Sequence, residues 1–395
     1  MKRESPSKDL LFCQPALNDN DIDAVEATLR SGWLTTGPRV KEFEQRFAEY
    51  VGARHAVAVN SCTAALHLSL LACGIGSGDE VITTPLTFCA TANAIIHTGA
   101  RPVFVDVDWA TGNVLPQALA AAITPRTRAL LPVHYAGRPG NLAGYRELAD
   151  AHGLRLIEDA AHCIEGRVDG RKVGASADLS CFSFYATKNL TTGEGGMLTT
   201  DSDEWANYAR VASLHGLSKG AWARYASVAP QSYEVEVPGF KYNMMDIQAA
   251  LGLHQLARLN ASLRRREEIC RAYDEGFADL PVTRPATVSP GMVHARHLYT
   301  ILVDAESTGV SRDGLRAELQ KRGIGTGVHF HALHLHRYYA ERFNLARGQF
   351  PNAEFISDRT LSLPLSVALS DTDVRRVIDA VRGIIVARVH TGHAA

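Results

Sequence analysis

The chain of 395 residues is 46% hydrophobic and 21% charged, enough apolar material for one large domain with a smaller one, or for two of comparable size. A formal net charge of -1 without blocks of like charge argues against nucleic acid or an anionic membrane surface as partner, and no stretch approaches about eighteen uninterrupted apolar residues. Seven scattered cysteines without a CxxC pair and an N-terminus, "MKRESPSKDLLF", without an apolar core lead to the expectation of a soluble, cytoplasmic protein with reduced thiols.

From about residue 55, short β runs alternate with helical stretches. "HAVAV" (55–59) precedes "NSCTAALHLSLLACG", which opens on capping residues and ends at Gly74. Then come "EVITT", the helical "CATANAIIHTG", the strand "PVFVDVD", the helical "PQALAAAI", the strand "RALLPVHY", the helical "NLAGYRELADAHG" and the strand "LRLIEDAAH". Such alternation predicts an α/β fold with a mainly parallel, doubly wound sheet and ligands beyond the carboxyl ends of its strands. "LSCFSFY" and "GGMLTT" follow as further strands on either side of Lys188. The polar stretch 213–240 reads as a long excursion of the kind that is often functional. From Met245 a long amphipathic helix leads into an α+β region with a strand "HLYTILV", a helix "SRDGLRAELQKRG", a second strand near "GTGVHF" and a final helix over 371–388. The expected division is a large domain over 1–255 and a small one over 256–395.

Three features on this frame bear chemistry. "VAVNSCTAALHL" places Asn60 to Thr63 in a strand-to-helix turn whose N–H groups and hydroxyls suit a phosphate, although most such caps only cap. "LIEDAAH" leaves Asp159 at the end of an apolar strand, where a buried carboxylate needs a cation unless it merely caps the next turn. "CFSFYATKNLTTGEGGMLTT" holds Lys188 between a buried strand and a glycine turn. A lysine there either snorkels to solvent or, rigid and partly desolvated, forms a Schiff base. In this order on an α/β sheet the three are the parts pyridoxal phosphate needs: an anchor, a partner for its ring nitrogen and an amine. Glycines 193, 195 and 196 either allow close approach to the ligand or only make the turn.

Through "SGWLTTGPRVKEFE" (31–44), "NSCTAALHL" (60–68), "GDEVITTPLTFCATANAI" (78–95), "IEDAAH" (157–162), "FSFYATKNLTTGEGG" (182–196), "PGFKYNMMDIQAA" (238–250) and "GIGTGVHF" (323–330), the sequence resembles the DegT/StrS family of pyridoxal-phosphate-dependent sugar aminotransferases. The likeness runs over nearly the whole chain. It implies fold type I, with a large doubly wound domain and a smaller α+β C-terminal domain. It also implies Lys188 as Schiff-base lysine and general base, Asp159 against the pyridinium nitrogen and His162 near the phenolic oxygen. Cys62, Thr63 and Ser183 would hold the phosphate, although many members have Gly or Ala where Cys62 stands. Phe88 would stack on the ring, where relatives often carry Trp or Tyr.

The same resemblance implies a homodimer with shared sites, in which Asn243 reaches the other subunit's phosphate. Lys241 and His329 would approach a nucleotide-linked keto sugar. The implied reaction takes an amino group from glutamate, leaves 2-oxoglutarate and delivers the amine to a keto group at C4. Dehydratase relatives carry histidine in place of Lys188, which argues against that chemistry, and the intact lysine, aspartate and phosphate turn argue against a non-catalytic scaffold.

"VHFHALHLHRYY" contains His329, His331, His334 and His336 without an HExxH spacing or an interleaved acid, so no metal site is expected. One of these histidines is expected at the site and the others on a polar surface. Tyr338 and Tyr339 are either core or substrate contacts.

Overall fold

The computed structural model describes residues 9–218 and 233–392. Its strands in chain order are β1 (His55–Val59), β2 (Glu80–Thr83), β3 (Arg101–Phe104), β4 (Thr127–Leu130), β5 (Arg155–Asp159), the short β6 (Arg167–Val168) and β7 (Arg171–Lys172), then β8 (Leu179–Ser183) and β9 (Gly196–Thr200). Seven of these form one sheet in the order β1-β9-β8-β5-β4-β2-β3, parallel throughout except for the two pairings made by β9. A loop returns the chain directly from β8 into β9, which forces that pair to be antiparallel, whereas helices such as Cys62–Ala72 and Leu142–His152 carry the crossovers between parallel strands. The expected mainly parallel α/β sheet is present.

Both faces of the sheet are buried, which is why its strands read as apolar runs. In β1, Ala56 and Ala58 face a core with Phe43, Phe47 and Phe182, while Val57 and Val59 face a second core with Leu66, Leu68 and Ile95. β8 divides the same way, with Cys181 in one core and Phe182 in the other. A one-residue slip in register would exchange these sets and leave both layers mispacked.

The helix Asp246–Gly276 begins within a residue of its expected start. At 31 residues it spans about 46 Å. Leu253, Leu256 and Leu259 belong to the first core, and Ile269, Cys270 and Tyr273 to a third core built by the C-terminal elements. That third core lies around β11 (Tyr299–Leu302) and β12 (Thr360–Leu363), which follow the short β10 (Met292–Val293), and is covered by the final helix Asp371–Gly392. Among the described residues no helix is long and apolar enough to cross a membrane.

One expected strand is misplaced. Residues 325–330 form no strand; Gly327 makes only an isolated pairing with Ser362, and β11 is partnered instead by β12, antiparallel. Close packing explains the irregular backbone: a Cβ on Gly325 would stand 2.8 Å from Phe12 N, and one on Gly327 would stand 2.6 Å from His329 Cε1. Of the long polar excursion, residues 219–232 lie outside the described residues; its described flanks pair at Leu217 with Val235 and at Leu214 with Lys241.

Candidate active site

A cavity of about 480 Å³ opens beyond the carboxyl ends of β5 and β8, where an open α/β sheet presents its ligand site. Cys62, Thr63, Phe88, Asp159, His162, Ser183, Lys188 and His329 all line it. These eight of the ten residues singled out from the sequence converge although the chain separates the first from the last by most of its length.

Lys188 sits in the loop that joins β8 to β9. Its backbone N–H donates to Tyr185 O (2.9 Å), and Thr192 N donates to Phe184 O (2.9 Å), closing the turn that fixes the lysine. Burial disfavours its ammonium form and brings the amine down from 10.5 to about 8, against the opposing pull of Cys62, Asp159 and Cys13. Asp159 ends β5 and is buried. Its Oδ2 accepts from Thr91 Oγ1 (2.7 Å) and its Oδ1 from Ala161 N (3.1 Å). Burial pushes this carboxyl up; the hydrogen bonds from Thr91 and Ala161 and the charge on Lys188 counter it only in part.

At the other side of the cavity the helix Cys62–Ala72 begins. Ser61 is its N-cap: Ser61 Oγ accepts from Ala64 N (3.1 Å) and its carbonyl from Ala65 N (3.1 Å). The N–H groups of Cys62 and Thr63 belong to the first turn, which has no intrahelical acceptor, and face an anion-favouring helix end. β9 passes close behind this turn. A Cβ on Gly196 would lie 2.4 Å from Ser61 C and 2.6 Å from Cys62 N, so only glycine fits. Ser183 Oγ accepts weakly from Tyr185 N (3.3 Å).

Aromatic rings wall the remainder. Phe88 is 61% exposed at the mouth, its ring 6.3 Å from that of Phe330, and Phe330 stacks on His162 at 5.8 Å and 21°. His162 Nδ1 is buried without a hydrogen-bond partner among the described residues. His329 Nδ1 is hydrogen-bonded to Ser362 Oγ (2.8 Å), and burial with the nearby Lys188 charge depresses its basicity to about 4.

Lys241 and Asn243 do not join this group. Lys241 Nζ donates to Asn243 Oδ1 (2.6 Å) and Asn243 Nδ2 to Thr36 Oγ1 (2.7 Å), and Asn243 borders a different cleft of about 840 Å³ beside Glu44 and Arg210. The histidine segment also departs from expectation at one position: His331 and His336 are exposed, but His334 is fully buried, its Nε2 2.9 Å from Glu354 Oε1. Tyr339 is core, donating to Asn93 Oδ1 (2.7 Å), and Tyr338 is exposed. Among the described residues no group of three or more His, Cys, Asp or Glu side chains is arranged to hold a metal ion.

Among the wall residues that sequence reading did not single out are His297 and Phe330. Phe330 is adjacent to His329 in "VHF" and was within reach of the same motif. His297 enters from the residues just before β11 and carried no signal, since a histidine in an apolar strand text is usually only a core residue.

The profile of the DegT/DnrJ/EryC1/StrS aminotransferase family matches residues 15–382. The chain belongs to this family. SpsC of Bacillus subtilis strain 168, a spore coat polysaccharide biosynthesis protein, is 52% identical over 377 residues, which cover 95% of this chain and 97% of SpsC. PseC from Helicobacter pylori, an aminotransferase involved in the biosynthesis of pseudoaminic acid, superposes with a TM-score of 0.89 at 31% identity, covering 96% of this chain and 100% of PseC. Spr1654 from Streptococcus pneumoniae in its PMP form gives a TM-score of 0.89 at 33% identity, covering 96% of this chain and 100% of that one, and its PLP form is also known. This DegT-family member is therefore a fold-type-I, pyridoxal-phosphate-dependent aminotransferase among sugar aminotransferases.

The donors present fit that cofactor. A phosphate suits the first-turn N–H groups that Gly196 leaves open, and a ring cation suits the Asp159 carboxylate, which has no ion-pair partner among the described residues. His162 Nδ1 is an orphaned polar atom that a ligand group or a water would satisfy.

Proposed function

We propose that this enzyme takes an amino group from glutamate, releasing 2-oxoglutarate, and delivers it to the C4 keto group of a nucleotide-linked sugar. The observation that carries the reading is Lys188: an amine held near pH 8 by burial, in one cavity with a buried carboxylate and an open helix N-terminus. When bound, pyridoxal phosphate supplies a carbonyl that captures amines and a ring that accepts an electron pair.

The chain's own residues do the rest. Cys62 and Thr63 hold the phosphate through backbone N–H groups, with the Ser183 hydroxyl beside them. Asp159 keeps the ring nitrogen protonated, because a buried carboxylate is stabilised by a cation. Phe88, at the cavity mouth, would cover one face of the ring, and its hydrocarbon edge cannot supply the hydrogen bond that a Trp or Tyr would. His162, whose Nδ1 is unpartnered among the described residues, would meet the phenolic oxygen. Lys188 Nζ would serve as the base that takes a proton from the substrate carbon and gives one back in the other half of the reaction; an amine poised near the working pH suits both directions.

His329 contacts the sugar substrate from the C-terminal domain. Lys241 and Asn243 do not line their own cavity, which fits residues that complete a second copy's site, and this supports a homodimer with shared sites; the cytoplasmic location rests on the sequence reading alone. SpsC and PseC, named for polysaccharide and pseudoaminic acid biosynthesis, support a sugar acceptor. The reading is tested by incubating the pyridoxamine phosphate form with a panel of UDP-, dTDP- and GDP-linked 4-keto sugars and following return of the pyridoxal-form absorbance. Return with one of them is the expected result; return only with simple 2-keto acids would exclude the sugar reading.

A further inference from the structure

Next to Lys188 in the chain, Asn189 lies at the centre of a buried polar relay. Its Nδ2 donates to Ala295 O (2.8 Å) and to Glu165 Oε2 (2.9 Å), and its Oδ1 lies 3.1 Å from His297 Nδ1. Glu165 is in turn paired with Arg266 on the long helix, both only 3% exposed. This arrangement leaves a single self-consistent assignment of protons. The Ala295 carbonyl can only accept, so the amide end facing it must be the NH₂, which uses both of its hydrogens on Ala295 and Glu165. Asn189 therefore presents its oxygen to His297, and His297 Nδ1 must carry the hydrogen.

The rest of the imidazole follows. His297 is buried, and burial together with the Lys188 charge, and less so the neighbouring basic groups His329, Arg266 and His294, holds its basicity well below the ordinary range, so the ring is neutral. A neutral imidazole protonated at Nδ1 has a bare Nε2. His297 lines the cavity, its ring 4.3 Å from that of His162, and Nε2 has no hydrogen-bond partner among the described residues.

We propose that His297 is a ligand-binding residue whose Nε2 lone pair, set by the Asn189–Glu165–Arg266 relay, accepts a hydrogen bond from a hydroxyl brought into the cavity. Two ligands carry such a hydroxyl: the phenol of the cofactor and the ring hydroxyls of the sugar. The proposal deepens the reading of this cavity as the place where the two meet, and only its second source depends on the sugar being the acceptor. The Nδ1–H tautomer depends on neither.

The test is magic-angle-spinning nitrogen NMR of the full chain labelled with ¹⁵N-histidine, with the His297 signals identified by their loss in His297→Asn, or in His297→Gln should the first variant not fold. The cofactor-free enzyme should show Nδ1 protonated and Nε2 bare at neutral pH. Movement of the Nε2 resonance on adding pyridoxal phosphate alone assigns the phenol as donor, and movement only with the pyridoxamine phosphate form plus a UDP-linked 4-keto sugar assigns a sugar hydroxyl. His297→Asn should weaken binding of the ligand so assigned by about 3- to 10-fold, the effect of one neutral hydrogen bond. A protonated Nε2, a doubly protonated ring, or an Nε2 resonance unmoved by either ligand would overturn the proposal. If the tautomer and the cofactor response hold while no keto sugar reacts, the acceptor assignment fails and the role of His297 does not.

Discussion

Thr91 Oγ1 donates to Asp159 Oδ2 across 2.7 Å, tying the first turns of the helix Cys89–His97 to the end of β5. Thr91 in turn shares a hydrogen bond with Thr87 Oγ1 (2.8 Å), so the carboxylate is oriented by a chain of hydroxyls. Removing the charge and removing its support should differ in size. Asp159→Asn should lower kcat by orders of magnitude, because the proposed partner of the ring nitrogen would lose its charge. Thr91→Val leaves the charge but removes one donor, and about 1 kcal/mol, near fivefold, is the expected scale. Steady-state kinetics on both variants decides; an unaltered rate in Asp159→Asn would remove that residue from the mechanism.

Lys188 carries the pH signature of the site. With the amine at about 8, reductive methylation of the cofactor-free enzyme should label Lys188 half-maximally near pH 8, well below exposed lysines near 10.5. Peptide mass mapping across pH reads this directly. The same depression affects stability. Below about pH 8 the folded state bears the full cost of a buried ammonium, and between about 8 and 10.5 the unfolded chain holds the extra proton, so stability rises with pH across that window. Lys188→Met should therefore stabilise the cofactor-free enzyme more at pH 7 than above pH 10. Lys188→Ala should abolish turnover while cofactor still binds without a borohydride-trappable bond.

Gly196 makes a steric prediction. Its missing Cβ would meet backbone atoms of Ser61 and Cys62, which cannot swing aside as a flexible side chain does. Gly196→Ala should displace the first turn of the helix Cys62–Ala72 at about 1–3 kcal/mol and weaken cofactor affinity at least tenfold. Equilibrium dialysis of pyridoxal phosphate, with melting to confirm a folded protein, measures both effects. Normal affinity would show that the phosphate is held elsewhere.

The Glu165–Arg266 pair predicts an asymmetric loss. Arg266→Met leaves a buried carboxylate without its cation and should cost about 3–5 kcal/mol in denaturant unfolding. The double replacement Glu165→Gln with Arg266→Met should recover much of that. Equal losses in the single and double variants would contradict the pairing.

The alternating apolar runs, the cap at Ser61, Asp159 at its strand end and Lys188 before a glycine turn were legible in the linear chain because each is a short-range statement. Strand periodicity, capping and a lysine's setting depend on neighbours within a few residues. The strand β12, in place of one near "GTGVHF", and its pairing with β11 were not legible, since a four-residue run before Pro364 competes poorly in local pattern yet buries Leu361 and Leu363 in the third core. Nor was the arrival of His297 in the cavity of Lys188, or the placing of Lys241 and Asn243 outside its walls. Those outcomes rest on which faces of distant elements meet. That depends on the packing of whole helices and sheet layers, a long-range property that local residue preferences leave undetermined.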